Sequence, residues 1–419
     1  MHPNALLDTA TELLREVGKF DTPADVVVSN FFRKHRALGQ RERHALAETA
    51  YAVLRQRLLY SHLAQSGHGA LERRLAILAW QGAESQIRGG MGPAEQQWLS
   101  QVRVLDRSAF SEKLRHNLPD WLAGALKAEL GEAGFWAFVE SMSGTAPLDL
   151  RVNILKTTRE KAQQALAAAE IEALPTPYSP WGLRVDGKPP LQKADVFLRG
   201  DVEVQDEGSQ LLAALLAPKR GEMVVDFCAG AGGKTLALGA AMRNTGRLYA
   251  FDVNGHRLDK LKPRLARSGL SNVYPAQLAN ERDDRVKRLA GKIDRVLVDA
   301  PCSGLGTLRR NPDLKWRLSA KAIDEMSDLQ TRILDSASRL VKSGGRLVYA
   351  TCSPLRREDE AIAEAFSAAH PDFQPLDAAE LLSAAQVERA GELCQDGFLR
   401  TWPQRHGMDG FFAAAWQRQ

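Results

Sequence analysis

Cys302 and Cys352, two of only four cysteines in the chain, stand where a thiol could do chemistry. Cys352, in Thr351-Cys-Ser353, follows the strand-like run Gly345-Arg-Leu-Val-Tyr349, and Cys302 ends another apolar run in Asp299-Ala-Pro-Cys302-Ser-Gly304. The carboxyl ends of strands in an open α/β sheet are where ligands bind, so two thiols on adjacent strands would face one pocket. A lone strand-end cysteine is more often a packing residue, because free cysteine is among the most buried residue types. Two at matching edges, each followed by serine, reverse that reading. Cys394 keeps the packing reading, and Cys228 reads as a packing or backbone-contact residue. No pair has CxxC spacing, so neither a disulfide framework nor a metal site is expected.

Two thiols suit one kind of reaction. Carbon 5 of a pyrimidine is too weak a nucleophile to take a methyl group directly from a sulfonium. A thiolate that adds to carbon 6 turns the ring into an enamine and makes carbon 5 nucleophilic; after methyl transfer, loss of the carbon 5 proton expels the thiol. A free thiol is mostly protonated at neutral pH, so the site should lower its pKa or hold a base. Cytosine also needs a proton or hydrogen bond at N3, a role for a carboxyl such as Asp299. A second cysteine can assist the elimination.

A cofactor loop precedes both thiols. Asp226-Phe-Cys-Ala-Gly-Ala-Gly-Gly-Lys-Thr235 reads as strand, glycine-rich turn, helix. Glycines let a ligand approach the backbone, and the helix start presents unpaired N–H groups. A Walker phosphate loop would need glycine at Cys228, and a dinucleotide fingerprint from Gly230 would need one at Thr235. Both fail, which leaves an adenosyl cofactor. The next apolar run ends in Asp252, placed to accept hydrogen bonds from ribose hydroxyls.

The elements that must hold these groups follow from periodicity. Residues 5–104 carry apolar side chains at helical spacing, and 110–144 continue as short helices. A strand at 148–153, a helix at 159–170 and short strands at 183–185 and 196–198 make a small α+β module. From residue 223, strand-like runs at 223–226, 247–252, 272–276, 295–299, 346–350 and 410–414 alternate with helices, which predicts an α/β fold with a mainly parallel sheet. The expected domains are a helical one at 1–104, a helical linker with the α+β module at 105–200, and a cofactor-binding domain at 201–419.

Composition narrows the setting. The hydrophobic fraction of 44% suffices for full-size cores, and no run approaches the roughly 18 apolar residues of a membrane span. The start, MHPNALLDTATELLREVG, lacks a secretory pattern, so a cytoplasmic protein is expected. A net charge of +5, with basic residues gathered at Phe31-Phe-Arg-Lys-His-Arg36 and Arg41-Glu-Arg-His44, suits a polyanionic partner as well as a solvated helix face.

Together these motifs resemble the RsmB and Nop/Sun family of RNA 5-methylcytosine methyltransferases. The resemblance runs from about Leu150 to the end, through Arg151-Val-Asn153, Val204-Gln-Asp-Glu-Gly-Ser-Gln210, the glycine loop, Asp252-Val-Asn254, Asp299-Ala-Pro-Cys-Ser-Gly304, Arg310-Asn-Pro-Asp313, Tyr349-Ala-Thr-Cys-Ser-Pro354 and Met408-Asp-Gly-Phe-Phe412. The helical start, with Leu38-Gly-Gln-Arg-Glu-Arg43 and Tyr51-Ala-Val-Leu-Arg55, is similar to the NusB-type RNA-binding domain. The resemblance implies a class I methyltransferase fold, S-adenosylmethionine as cofactor, and RNA as substrate, with ribosomal RNA favoured over tRNA by analogy. It implies Cys352 as nucleophile, Cys302 in product release and Asp299 beside the base. It places the cofactor at Cys228, Ala229, Gly230, Ala231, Gly232, Gly233, Lys234, Asp252, Asn280 and Asp299, and substrate contacts at Pro301, Arg151 and Asn153. Ala231 stands where the family has proline, and Asn280 where it has an adenine-side aspartate; Asp283 or Asp284 takes that role if the loop is shifted. A monomer is expected. The reading from another class is a noncatalytic RNA-binding assembly factor.

Overall fold

The computed structural model describes residues 1–187 and 189–419, and it divides into two compact units, Met1–Thr145 with Thr307–Ala320, and Ala146–Gly306 with Lys321–Gln419. In the first unit the opening helix, Pro3–Val17, buries Leu6, Leu7, Ala10, Leu13, Leu14 and Val17, a stripe at three- and four-residue spacing that can only face a core. Six more helices between Ala24 and Arg103 complete that core. The helix Asp120–Ser143 breaks at Gly131, whose φ of 65° is non-helical. Thr307–Ala320 packs into the same unit: Trp316 lies against the core and its Nε1 donates to Leu54 O at 2.7 Å, while Ala24 N donates to Asp313 Oδ2 at 3.2 Å.

The second unit begins with a four-stranded antiparallel sheet. Its strands are β1 (Leu148–Val152), β2 (Ala173–Pro175), β3 (Gly182–Val185) and β4 (Val202–Val204), in the order β2-β3-β1-β4. Leu150 and Val152 of β1 join Leu183, Val185 and Val202 in the core of this module. The expected strand at 196–198 is instead one helical turn, Asp195–Leu198. Its β-prone residues do not alternate as a strand needs, since Val196 is buried and Leu198 is 57% exposed. The edge beside β1 is taken by β4, with Arg151 opposite Glu203.

The large sheet carries β5 (Met223–Asp226), β6 (Arg247–Asp252), β7 (Val273–Gln277), β8 (Ile293–Asp299), β9 (Val341–Thr351), β10 (Phe373–Leu376), β11 (Cys394–Gln395), β12 (Phe398–Arg400) and β13 (Phe412–Arg418). The order is β11-β12-β13-β9-β8-β5-β6-β7, with β10 on β13. The strands from β5 to β9 run parallel and β13 is antiparallel to β9. Both faces are covered: Leu347 and Tyr349 of β9 enter one apolar cluster, while Val348 and Ala350 enter another. The chain order reverses at β5, which has β6 on one side and β8 on the other. That reversal opens a crevice at the carboxyl ends of β5 and β8.

Candidate functional site

Every group expected to do chemistry in the second unit's crevice reaches it on a strand end. Asp299 closes β8 and Cys302 lies three residues on; Thr351 closes β9 and Cys352 follows it. Because β8 and β9 pair in parallel with Asp299 opposite Ala350, the two loops leave the sheet side by side. Their sulfurs stand 3.4 Å apart, and Cys352 N donates to Cys302 Sγ at 3.3 Å. The hydrogen bond with Cys352, then burial, then the charge of Cys352 and last that of Glu358 push the Cys302 thiol well above its ordinary pKa.

Close approach of the loops needs a glycine. Gly306 N donates to Cys352 O at 2.9 Å and Gly306 O accepts from Gly410 N at 3.0 Å. A Cβ at Gly306 would sit 2.2 Å from Gly410 O and 2.9 Å from Cys352 O, both backbone atoms that cannot swing aside.

A buried carboxylate ties the two thiol loops to each other. Glu358 Oε1 accepts from Ser303 N at 2.8 Å and Gln330 Nε2 at 3.0 Å, and its Oε2 accepts from Ser353 Oγ at 2.5 Å. Ser303 Oγ donates to Ser353 Oγ at 3.2 Å, and Gln330 Nε2 also donates to Pro301 O at 3.0 Å. Each cysteine's following serine is therefore fastened to one residue. Behind them Asp359 accepts from Thr351 Oγ1 and pairs with Arg400, whose guanidinium donates to Ser353 O and Pro354 O. Burial, against the pull of Arg400, pushes the Asp359 carboxyl up to about 8. Neither Glu358 nor Asp359 emerged from the sequence, where Arg356-Arg-Glu-Asp-Glu360 has the composition of a solvated charge run.

Lys234, expected only at the cofactor, also reaches the reaction groups. Its Nζ donates to Asp299 Oδ2 at 2.6 Å and stands 5.5 Å from the centre of the Phe411 ring. Burial lowers its pKa, but the carboxylate of Asp299, with Cys352 and Asp226 beyond, more than offsets this and holds it above the ordinary value. A cation paired with Asp299 thus acts within electrostatic reach of the Cys352 thiol.

The loop Cys228–Lys234 has the build of a cradle. Gly230 and Gly232 have φ of 56° and 83°, which side-chain-bearing residues rarely adopt. A Cβ at Gly230 would meet nothing within 4 Å, so the loop backbone there faces open space, while one at Gly232 would strike Leu261. Ala229 N donates to Phe251 O at 2.8 Å, and Arg264 holds Ala231 O at 2.6 Å. Gly233 opens the helix Gly233–Ala241, with its unpaired N–H groups beside the loop. Asp252, at the end of β6, accepts from Gly230 N at 2.8 Å and Asn254 N at 2.7 Å, which fixes a carboxylate against the cradle. An open glycine backbone, a helix start and a carboxylate on the neighbouring strand fit a ribose-bearing cofactor. Cys228 packs against the apolar cluster behind, and burial raises its thiol well above the ordinary value.

Three further expected residues are hydrogen-bonded within the chain. Arg151 is 2% exposed and its Nε donates to Gln205 Oε1 at 2.6 Å. Asn153 is buried too, its amide donating to Gly200 O and Ser268 O at 3.0 Å each. Both bind their own chain and hold the small sheet in the unit, and Gln205, the partner of Arg151, lies beside Gly233 of the glycine loop. Asn280 is exposed in the loop after β7, and its Oδ1 accepts from Arg282 N at 2.8 Å. The alternative Asp283 caps the helix Asp284–Arg288, accepting from Ala279 N and Arg285 N at 2.9 Å each. Asp284 pairs with Lys287 at the surface.

Known proteins share this plan. Residues 213–417 match the family model described as 16S rRNA methyltransferase RsmB/F, and residues 118–192 match the ferredoxin-like domain of RsmF/B-like methyltransferases. The chain is 31% identical to a probable ribosomal RNA small subunit methyltransferase B of Synechocystis, over 96% of this chain and 97% of that protein. It is 33% identical to ribosomal RNA small subunit methyltransferase B of Sodalis glossinidius, over 78% and 72%. Among solved structures, PH0851 aligns over 100% of this chain and 99% of its own with a TM-score of 0.79 and 27% identity. A methyltransferase homologue from Pyrococcus horikoshii aligns over 75% and 100% with a TM-score of 0.64 and 28% identity. The sheet and its crevice are those of a class I methyltransferase.

Proposed function

Because the chain belongs to the RsmB/F family of 16S rRNA methyltransferases, we propose that it methylates carbon 5 of a cytosine in RNA, with small-subunit ribosomal RNA as substrate. The observation that carries this reading is the pair of sulfurs 3.4 Å apart, at the ends of adjacent strands and beside the Lys234–Asp299 ion pair. A methyltransferase acting on an exocyclic nitrogen has no use for paired thiols; activation of a pyrimidine carbon has. The Cys228–Lys234 cradle and Asp252 would hold S-adenosylmethionine, which would supply the methyl group as an electrophile.

The chain's own residues divide the remaining work. The target cytosine must leave its stack, because carbon 6 is closed to a thiol inside a helix. Asp299 faces N3 and the exocyclic nitrogen, held in place by Lys234. Cys352 attacks carbon 6 as the nucleophile. After methyl transfer the carbon–sulfur bond breaks as the carbon 5 proton leaves: Cys302, kept as a thiol, gives its proton to the departing Cys352 sulfur and takes up the carbon 5 proton in its place. Pro301 forms the wall of the base pocket on the Cys302 side.

The test is transfer of labelled methyl from S-adenosylmethionine to undermodified small-subunit ribosomal RNA. The label should appear as 5-methylcytosine with the wild-type chain and disappear in Cys352→Ala. Label in another nucleoside, or none with any cellular RNA, overturns the proposal.

A further inference from the structure

The helical unit contains a cavity of about 220 Å³ that the chemistry described so far does not use. Arg55, Arg107, Arg115 and Lys315 line it, and among the described residues no carboxylate does. The rest of its lining is mixed, with Leu59, Phe110, Phe138 and Met142 beside the polar Gln56, His116, Asn117 and Ser143. One cation is held inside and a second is half-buried: Lys315 is 6% exposed and its Nζ donates to a backbone oxygen, Arg55 O, at 2.8 Å. Arg55 donates one terminal nitrogen to Arg309 O at 3.2 Å, and its buried Nε has no hydrogen-bond partner. Burial, and then the charge of Arg55, pull the Lys315 ammonium down to about 7. Glu48 acts on Arg55 from outside the lining, but the buried Lys315 ammonium has no carboxylate beside it in the cavity, and a buried charge is normally paired.

We propose that this cavity takes up a phosphate group, and that in the working protein the phosphate belongs to the backbone of bound RNA. Arg and Lys with an unused guanidinium donor match phosphate oxygens, for which Arg gives directed bonds and Lys a point charge. The apolar and uncharged polar parts of the wall suit the adjoining sugar, which a bare surface patch would not enclose. Exposed Arg107 and Arg115 stand at the cavity as its outer cations, and Arg55 and Lys315 are its inner ones. The choice of RNA as the source rests on the proposed function; the phosphate chemistry does not.

The experiment uses the full chain and the variants Arg107→Ala, Arg115→Ala and Lys315→Met. Arg107 and Arg115 are exposed, so their variants should fold even if Lys315→Met does not. Affinity for a single-stranded ribosomal RNA fragment, measured over a range of salt, should fall about tenfold in the variants, with the salt slope reduced by about one. Affinity for S-adenosylmethionine should not change. In parallel, inorganic phosphate and a nucleoside monophosphate should raise the melting temperature of the wild-type chain, and less that of the arginine variants. Phosphate stabilisation that the variants lose, with unaltered RNA binding, overturns the RNA source and assigns the cavity to free phosphate. Variants that match the wild type in both assays overturn the proposal. A wild-type chain that binds no RNA but keeps variant-sensitive phosphate stabilisation contradicts the proposed function and not the phosphate site.

Discussion

Two identical thiols 3.4 Å apart can take different roles only if their surroundings differ, and here they do. Cys302 lies on the side of the Glu358 carboxylate, which adds to the rise of its pKa, whereas Cys352 lies on the side of the Lys234 ammonium. Glu358 also joins the two loops, so its removal should act on chemistry before it acts on the fold. Glu358→Gln keeps an acceptor for Ser303 N and should retain most methyl transfer. Glu358→Ala leaves buried donors unpaired at about 1–3 kcal/mol, and should lower turnover at least tenfold while leaving affinity for S-adenosylmethionine unchanged. Equal turnover in both variants would show that the bridge does not position the thiols. At this scale Cys302, Cys352, Asp299 and Asp252 are legible in sequence because each stands at or just beyond the end of an apolar run. Glu358 is not, because nothing local distinguishes a buried acid from the exposed Arg356 and Arg357 that precede it.

At the scale of elements, β5 carries a carboxylate whose burial has a measurable consequence. Asp226 is 1% exposed, accepts from Thr235 Oγ1 at 2.7 Å and has an Oδ1 without a partner. Burial, only partly offset by the Thr235 bond, pushes its pKa from 3.8 to about 7. A carboxyl with a raised folded-state pKa favours folding below its unfolded pKa, and that contribution is lost as pH rises through about 7. Asp226→Asn, measured without cofactor, should therefore melt higher than the wild type at about pH 8, by on the order of 1–4 kcal/mol, and the gap should close towards about pH 4. A gap independent of pH would show that Asp226 is not buried as a strained acid. The parallel strands β5, β6, β8 and β9 are legible because burial on both faces gives them unbroken apolar runs. The run at 196–198 misleads for the converse reason: three β-prone residues carry no information about which edge of β1 is already taken by β4.

Across the whole molecule the helical unit is not a simple leading domain. It includes Thr307–Ala320, which follows the Cys302 loop in sequence, and Gly306, the last residue before that segment, is fixed against Cys352 O and Gly410 N. Lys315 and Trp316 donate to Arg55 O and Leu54 O. Nothing in residues 307–320 announces this, since the Arg310-Asn-Pro-Asp313 motif has the composition of a surface loop. A chain lacking residues 1–145 should expose Trp316 and be cut by protease within 307–320, where the full chain resists. Equal resistance would show that the segment folds without the helices.

The most direct test of the central claim is the attachment point of RNA. A Cys302→Ala chain incubated with S-adenosylmethionine and undermodified small-subunit ribosomal RNA should accumulate an adduct that survives denaturation, and peptide mapping should place it on Cys352. Cys352→Ala should form none. An adduct on Cys302 in the Cys352→Ala chain, or turnover by that chain, would contradict the assignment of Cys352 as the attacking thiol.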